Sequence, residues 1–366
     1  MATTLAQKII ARAAGRESVT LGEVVTVGVD LAMIHDSGGP RRVAPILKEL
    51  GVGLFDPSRV VLISDHFVPG DTDEGARILE LTRDWARATG VPFYDGQGIC
   101  HVVLPERGHL RPGMLVVGGD SHSPTGGAFG AYMFGIGATE MAGVLATGEI
   151  WLKVPETILI ETTGTLGPGV MAKDILLALC GRLGMDGGRY QAIEYAGPAI
   201  SALSMQERMT LSNMAAELGA QAGLIAPDAT TYDFLEAAGA DVAADATLCT
   251  DPGAALGAHH VFDAAALAPQ VAAPHSPANA LAVTEAPRIK LDLAFIGACT
   301  GAKYDDLRNA AAILKGQALA QGVTLLVAPA SKRDQDRAVK DGILGVFEEA
   351  GARILPNACG ICAGYG

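Results

Sequence analysis

The sequence has no apolar run approaching the roughly 18 residues of a membrane-spanning helix. It also has no continuous apolar core behind its first basic residues, so neither a membrane partner nor a secretory signal is expected. Basic charge is in deficit: 27 Lys and Arg against 40 Asp and Glu give a net charge of −13. A general nucleic-acid surface needs a basic footprint, which this balance excludes. A small anionic substrate stays open, because a few local cations override the overall field. The six cysteines show no short-range disulfide framework, and Cys180 sits in the apolar helical stretch that begins at Ile175. Together these point to a reducing, cytoplasmic compartment. Aromatics make up only 5%.

What is abundant is glycine, 46 of 366 residues, set between short Val, Ile and Leu runs. That pattern predicts an α/β chain of two or three domains with many tight strand-to-helix turns. Thr4 and Gln7 form a capping-box pattern opening a first helix. Val24–Val27, Val60–Ile63 and Met114–Val117 read as strands, with helices over about 42–50 and 73–89. The second of these carries Ile78, Leu81 and Trp85 on one face and stops at Gly90. Further helices are expected near 172–182 and 207–219, and a strand-helix pattern resumes at 288. The stretches 238–256 and 268–287 read as surface loop and linker, and His259-His260 as a solvated helix end.

Polar clusters follow the strands. His35-Asp36 lies in a loop after the first, Asp65-His66 ends the second, and Asp120-Ser121-His122 follows the third; His101 comes after the turn Gly96–Ile99. A carboxylate beside an imidazole suits a general acid for a leaving hydroxyl. Ser121 lacks a GxSxG surround, so a hydrolase elbow is excluded. The glycine-dense segment 126–137 is not a dinucleotide fingerprint, since Glu140 stands where a third glycine belongs, and Gly297–Lys303 is not a P-loop, since its spacing and its Lys-Ser/Thr pair are both wrong. The 126–137 segment fits close backbone packing, or the approach of a bulky cofactor. Glu194 in isolation reads as a surface residue.

The C-terminal stretch carries the most specific chemistry. Cys299 follows the strand-like Leu293–Ile296, and Cys359-Gly360-Ile361-Cys362 follows Ala352–Leu355. Three thiolates at strand C-terminal ends leave one position open on a [4Fe-4S] cluster, which wants four. A zinc site with an added His, and a thioredoxin-like redox pair, use the same residues. The redox pair should open a long helix, whereas Ala363–Gly366 is a glycine-rich turn.

The segments ISDHFVPG, GQGICHVVLPERG, GGDSHSPTGGAFGAYMFGIGATEMA, ATGEIWLKVPETI, AIEYAGPAI, MTLSNMAAELGA, PHSPAN, IGACTGAKYDDLR and the final CGIC resemble, in order, the aconitase superfamily. The similarity is greatest to the separate large subunits of isopropylmalate isomerase and homoaconitase-type hydro-lyases. It covers essentially the whole chain. The resemblance implies three α/β domains around a central cleft: 1–165 with Asp65/His66, His101 and Asp120/His122; 166–287 with Glu194; and 288–366 with the cluster cysteines. It implies a [4Fe-4S] cluster with one open iron on Cys299, Cys359 and Cys362. Asp65 and His66 match the acid pair, His101, Asp120 and His122 the surroundings of the bound water and substrate, and Glu194 a carboxylate near that water. His35, Asp36 and Ser121 lie in motifs that line the substrate.

The implied activity is reversible dehydration and hydration of a 2- or 3-hydroxy di- or tricarboxylate such as isopropylmalate, homocitrate, homoisocitrate or a methylmalate. The base, by resemblance, is a Ser on a separate small subunit that also contacts substrate. Two features depart from the family. Cys299-Thr300 is followed by Gly301 where the family has Asn, and Lys303, the substrate-binding candidate at this point, stands where the family has Arg; a Lys cannot form that residue's bidentate fork. The family's large subunits also continue past the CxxC with an Arg-containing segment, and this sequence stops before it, an incomplete third domain. The competing expectations are a non-catalytic or iron-sensing protein on the same fold, and a zinc or thiol-redox protein using CGIC.

Overall fold

The computed structural model describes residues 2–365 and divides into two compact units, Met1–Ala32 with Pro105–Pro287, and Met33–Leu104 with Arg288–Gly366. Among the described residues no helix is long and apolar enough to cross a membrane.

In the first unit the helix Leu5–Ala13 opens with the expected capping box, Thr4 Oγ1 accepting from Gln7 N while Gln7 Oε1 accepts from Thr4 N. The strands Val24–Gly28 and Glu149–Lys153 form an antiparallel pair, and Leu115–Gly118 runs parallel to Tyr132–Gly135. A four-stranded parallel sheet is ordered Ala222–Leu224, Ala192–Ala196, Thr157–Thr163, Ala258–Asp263. The crossover helix Ala172–Leu183 buries Ile175, Leu176, Leu179 and Cys180 in this unit's core with Ile160, Ile193 and Tyr195. Parallel strands need such a crossover, and its apolar face is what holds it to the sheet.

Three local expectations change here. His259 and His260 lie in the edge strand Ala258–Asp263, whose alternating burial follows a period of two. The supposed linker contains an antiparallel pair, Gln270–Ala272 with Ala280–Ala282. The helix from Met205 ends at Asn213 and tightens to a 3₁₀ turn, Met214–Ala216. The glycine-dense segment packs protein on protein: a Cβ on Gly127 would sit 1.9 Å from the Gly223 carbonyl oxygen, inside any contact distance.

In the second unit Val60–Ser64 pairs in parallel with Phe93–Asp95 through the helix Asp73–Thr89. Thr72 caps that helix and Gly90, at φ 73°, ends it in the left-handed region. Its buried stripe is Ile78, Leu79, Thr82 and Ala86, while Leu81 is 41% exposed. The packed face is thus rotated from the Ile78/Leu81/Trp85 stripe that spacing suggested. A three-stranded parallel sheet places Thr324–Val327 between Leu293–Ile296 and Arg353–Ile354, covered by the helices Tyr304–Leu314, Lys332–Lys340 and Ile343–Ala350. Gly98, at φ 127°, lets the 97–99 turn lie against Ala330-Ser331, with Ile99 N donating to Ala330 O at 2.8 Å and Lys332 N to Gln97 O at 2.9 Å. Only glycine fits there, since a Cβ would meet Ser331 Cα at 2.5 Å.

Candidate active site

In the second unit, the strand Val60–Ser64 is buried on both faces and delivers Asp65 and His66 at its C-terminal end, themselves buried. Asp65 Oδ1 lies 2.7 Å from His66 Nδ1, and Asp65 Oδ2 accepts from Cys100 N at 2.7 Å. The neighbouring pair thus does touch, and the backbone of residue 100 fixes its carboxylate. Burial pushes the Asp65 carboxyl up, but His66 and then His35 outweigh it, holding the group below the usual range. Asp36 accepts from three backbone amides, His66 N at 3.0 Å, Asp65 N at 3.3 Å and Phe67 N at 2.8 Å. Burial first, and then the charge of Asp65, raise its carboxyl. Asp36 therefore shapes the turn that presents the dyad, and His35 stacks on His66 with ring centroids 4.1 Å apart. These four side chains could surround a metal ion. Their carboxylates are instead committed to this hydrogen-bond net.

The cysteine loops belong to the same unit. Cys299, between Ile296 and the helix Tyr304–Leu314, is half-buried, as is Cys359; Cys362 is exposed in the short helix Gly360–Ala363. Cys359 N donates to Asp65 O at 2.8 Å, tying the CxxC directly to the acid dyad. Asn357 Nδ2, reaching Pro329 O at 3.0 Å and Ser331 O at 3.2 Å, anchors the approach to that loop. All three thiols are free of disulfides. A four-residue helix is not the long one a thioredoxin-like motif opens. Soft thiolate donors from two strand ends fit an iron-sulfur cluster with a non-protein position. Lys303 is 1% exposed and gives its ammonium to Cys299 O at 2.9 Å and Asp306 Oδ2 at 3.0 Å. His101, one residue past Cys100 in the helix Cys100–Glu106, is buried.

In the first unit, Asp120-Ser121-His122 follows the strand Leu115–Gly118 as a tight turn. Asp120 Oδ1 accepts from His122 N at 2.8 Å, and Ser123 Oγ donates to Asp120 O at 2.6 Å. Ser121 is exposed, its Oγ 3.4 Å from His122 Nδ1. His122 Nε2 meets Glu217 Oε1 at 3.1 Å, a carboxylate that sequence inspection passed over. Glu217 lies inside the segment MTLSNMAAELGA, after a helix whose Asn213 Nδ2 donates to Thr125 Oγ1 at 2.7 Å, while Thr125 Oγ1 donates to His122 O at 2.7 Å. The segment MTLSNMAAELGA is the signal in the sequence for this carboxylate. Glu194 is buried in the strand Ala192–Ala196 rather than on the surface. Its Oε2 accepts from Thr250 Oγ1 at 2.5 Å, and burial raises its carboxyl above the usual range. Thr250 in turn accepts from Leu5 N at 2.8 Å, so Glu194 serves the contact with the N-terminal helix.

The candidate residues therefore divide between the units. His35, Asp36, Asp65, His66, His101, Lys303 and the cysteines stand in one, and Asp120, Ser121, His122 and Glu194 in the other.

A sequence model described as the aconitase family (aconitate hydratase) matches residues 8–289 and 284–366. Among curated relatives, the 3-isopropylmalate dehydratase large subunit 1 of Methanopyrus kandleri is 45% identical over 368 residues, covering all of this chain and 87% of that protein. A probable methanogen homoaconitase large subunit from Methanothermobacter thermautotrophicus is 40% identical, covering 98% of this chain and 85% of its own. A solved structure, aconitase X of Thermococcus kodakaraensis in its holo form, covers 92% of this chain and 80% of its own with a TM-score of 0.56. At 13% identity it speaks for the fold alone.

Proposed function

We propose, on the premise that this chain belongs to the aconitase family, that it is the large subunit of a hydro-lyase that dehydrates and rehydrates a small 2- or 3-hydroxy di- or tricarboxylate. The observation that carries the proposal is the 2.8 Å bond from Cys359 N to Asp65 O, which joins the cysteine loop to a buried acid dyad. Cys299, Cys359 and Cys362 would hold a [4Fe-4S] cluster, which when bound supplies a Lewis acid for the substrate hydroxyl.

The rest of the chemistry belongs to the chain. His66 donates its proton to the departing hydroxyl, and Asp65, fixed by Cys100 N, keeps the ring oriented and stabilises its protonated form. The three amides on Asp36 hold the turn rigid, so the ring does not reorganise during the step. His122, buttressed by Glu217 and by its own amide on Asp120, presents a second imidazole for the water that leaves or re-enters. The proton alpha to a carboxylate needs a base, and a Ser on the small subunit is the group proposed for it. The relatives' names, 3-isopropylmalate dehydratase and homoaconitase, favour isopropylmalate or the substrate of a homoaconitase.

The test is anaerobic reconstitution with iron and sulfide, followed by hydratase assay of the chain alone and mixed with the small subunit of the same organism. The expected result is turnover only in the mixture, on one of these acids. Zinc in place of iron, or no gain on mixing, would sink the proposal. In the active mixture, His66→Ala should lower kcat by roughly 10²–10⁴-fold, the usual contribution of a positioned general acid.

A further inference from the structure

The ammonium of Lys303 occupies a place that the stability of its helix does not explain. Lys303 is the capping residue at the start of Tyr304–Leu314, the positive end of the helix dipole, where a cation is opposed rather than favoured. Its side chain is 1% exposed, so the charge has also been taken out of water. Its anionic partner is Asp306, one turn into the helix, whose Oδ2 receives both Lys303 Nζ at 3.0 Å and Lys303 N at 3.1 Å. Its other named contact is the carbonyl of Cys299 at 2.9 Å.

The loop between these residues is built to be held. Ala298 has a left-handed backbone at φ 69°, Gly301 N donates to Ala298 O at 3.3 Å, and Ala302 O accepts from Ala330 N at 2.9 Å. The buried ammonium thus bridges the carboxylate of Asp306 in the first turn of the helix and the main chain of Cys299 in the loop before it. We infer that Lys303 is a positioning residue for Cys299, pinning through its carbonyl the loop that presents the thiol, and is not the residue that binds a substrate carboxylate. It also sets a positive charge beside the anionic group that the three thiolates would hold. This inference rests on Cys299 being a cluster ligand, and it leaves the substrate's carboxylates to other cations.

The experiment compares the wild-type chain with Lys303→Met and Lys303→Arg. In the metal-free chain, alkylation of Cys299 by N-ethylmaleimide is followed by peptide mass spectrometry, with the exposed Cys249 as internal reference. Loosening of the loop predicts several-fold faster labelling of Cys299 in Lys303→Met, an unchanged rate at Cys249, and a return toward wild type in Lys303→Arg. After anaerobic reconstitution, Lys303→Met should retain several-fold less iron through gel filtration. With the small subunit added, its kcat should fall while KM stays within about twofold, the signature of a lost orientation rather than lost ground-state binding. Wild-type labelling and iron content together with a tenfold higher KM would overturn the inference and make Lys303 a substrate ligand. Unchanged values throughout would overturn it as well. If Lys303→Met does not fold, Lys303→Gln, a shorter uncharged donor, is read in the same way. Should the wild-type chain take up no cluster, the proposed function fails, and the labelling in the metal-free chain still decides whether Lys303 holds the loop.

Discussion

A carboxylate orients the imidazole of each of two histidines, His66 in one unit and His122 in the other. His66 commits Nδ1 to Asp65, and His122 commits Nε2 to Glu217. The two imidazoles are thus oriented through different nitrogens, His66 through Nδ1 and His122 through Nε2. For His122, the carboxylate sets ring orientation. Glu217→Gln keeps the shape and a hydrogen bond but loses the charge, and should lower kcat roughly tenfold or more with a smaller effect on KM. Steady-state kinetics of the reconstituted two-subunit enzyme check this. Glu194→Gln, whose carboxylate meets Thr250 rather than a histidine, should leave kcat within about twofold; a larger loss would return Glu194 to the reaction.

Secondary-structure elements here are closed by side chains that serve two ends at once. Asp228 caps the helix Ala229–Ala237 by accepting from Thr231 N at 3.3 Å, and also takes a two-pronged bond from Arg208, at 2.7 Å from Nη1 and 2.8 Å from Nη2. Arg208 is fully buried, and it also donates to the carbonyls of Ser201 and Leu203 and to Thr231 Oγ1. Asp228→Ala therefore removes a cap and strands a buried guanidinium, which should cost about 3–5 kcal/mol. Urea unfolding followed by circular dichroism measures it, and a loss under about 1 kcal/mol would show that Arg208 finds other partners. Spacing predicts the helix that carries Arg208 but not Ala229–Ala237. What it missed were packed faces and ends, such as the rotated stripe of Asp73–Thr89, because the neighbouring strand selects among several apolar stripes.

At the scale of the whole molecule, carboxylates of opposite sign in their response to pH set the acid limit of stability. Asp65, Asp228 and Asp251 are held below the usual carboxylate range, and the last lies at about 2, chiefly through the hydrogen bond from Lys8. Their folded pKa values lie below the unfolded ones. The stability they contribute is therefore complete above about pH 4 and lost as pH falls through the folded values. Asp36 and Glu194 are raised and act the other way, contributing below the unfolded value and losing that contribution as pH rises through the folded one. Asp251→Asn should accordingly lower the urea midpoint at pH 6, with the gap to wild type closing toward pH 2. A gap that stayed constant would show that Asp251 acts through packing rather than charge.

The sequence by itself determined the α/β class, several of the strands and helices, the three cysteines and the histidine–carboxylate motifs. These are local matters: periodicity, caps, glycine turns and short motifs act within a few residues. The family resemblance was legible on the same segments. Only the tertiary structure decided which carboxylate meets which imidazole, because Glu217 lies 95 positions from His122 and nothing in the chain between them announces the contact. It also decided that Lys303 turns inward to the Cys299 carbonyl. That choice depends on burial and on Asp306, and a lysine's four-carbon stem reaches solvent or core with equal ease until the packing around it is complete.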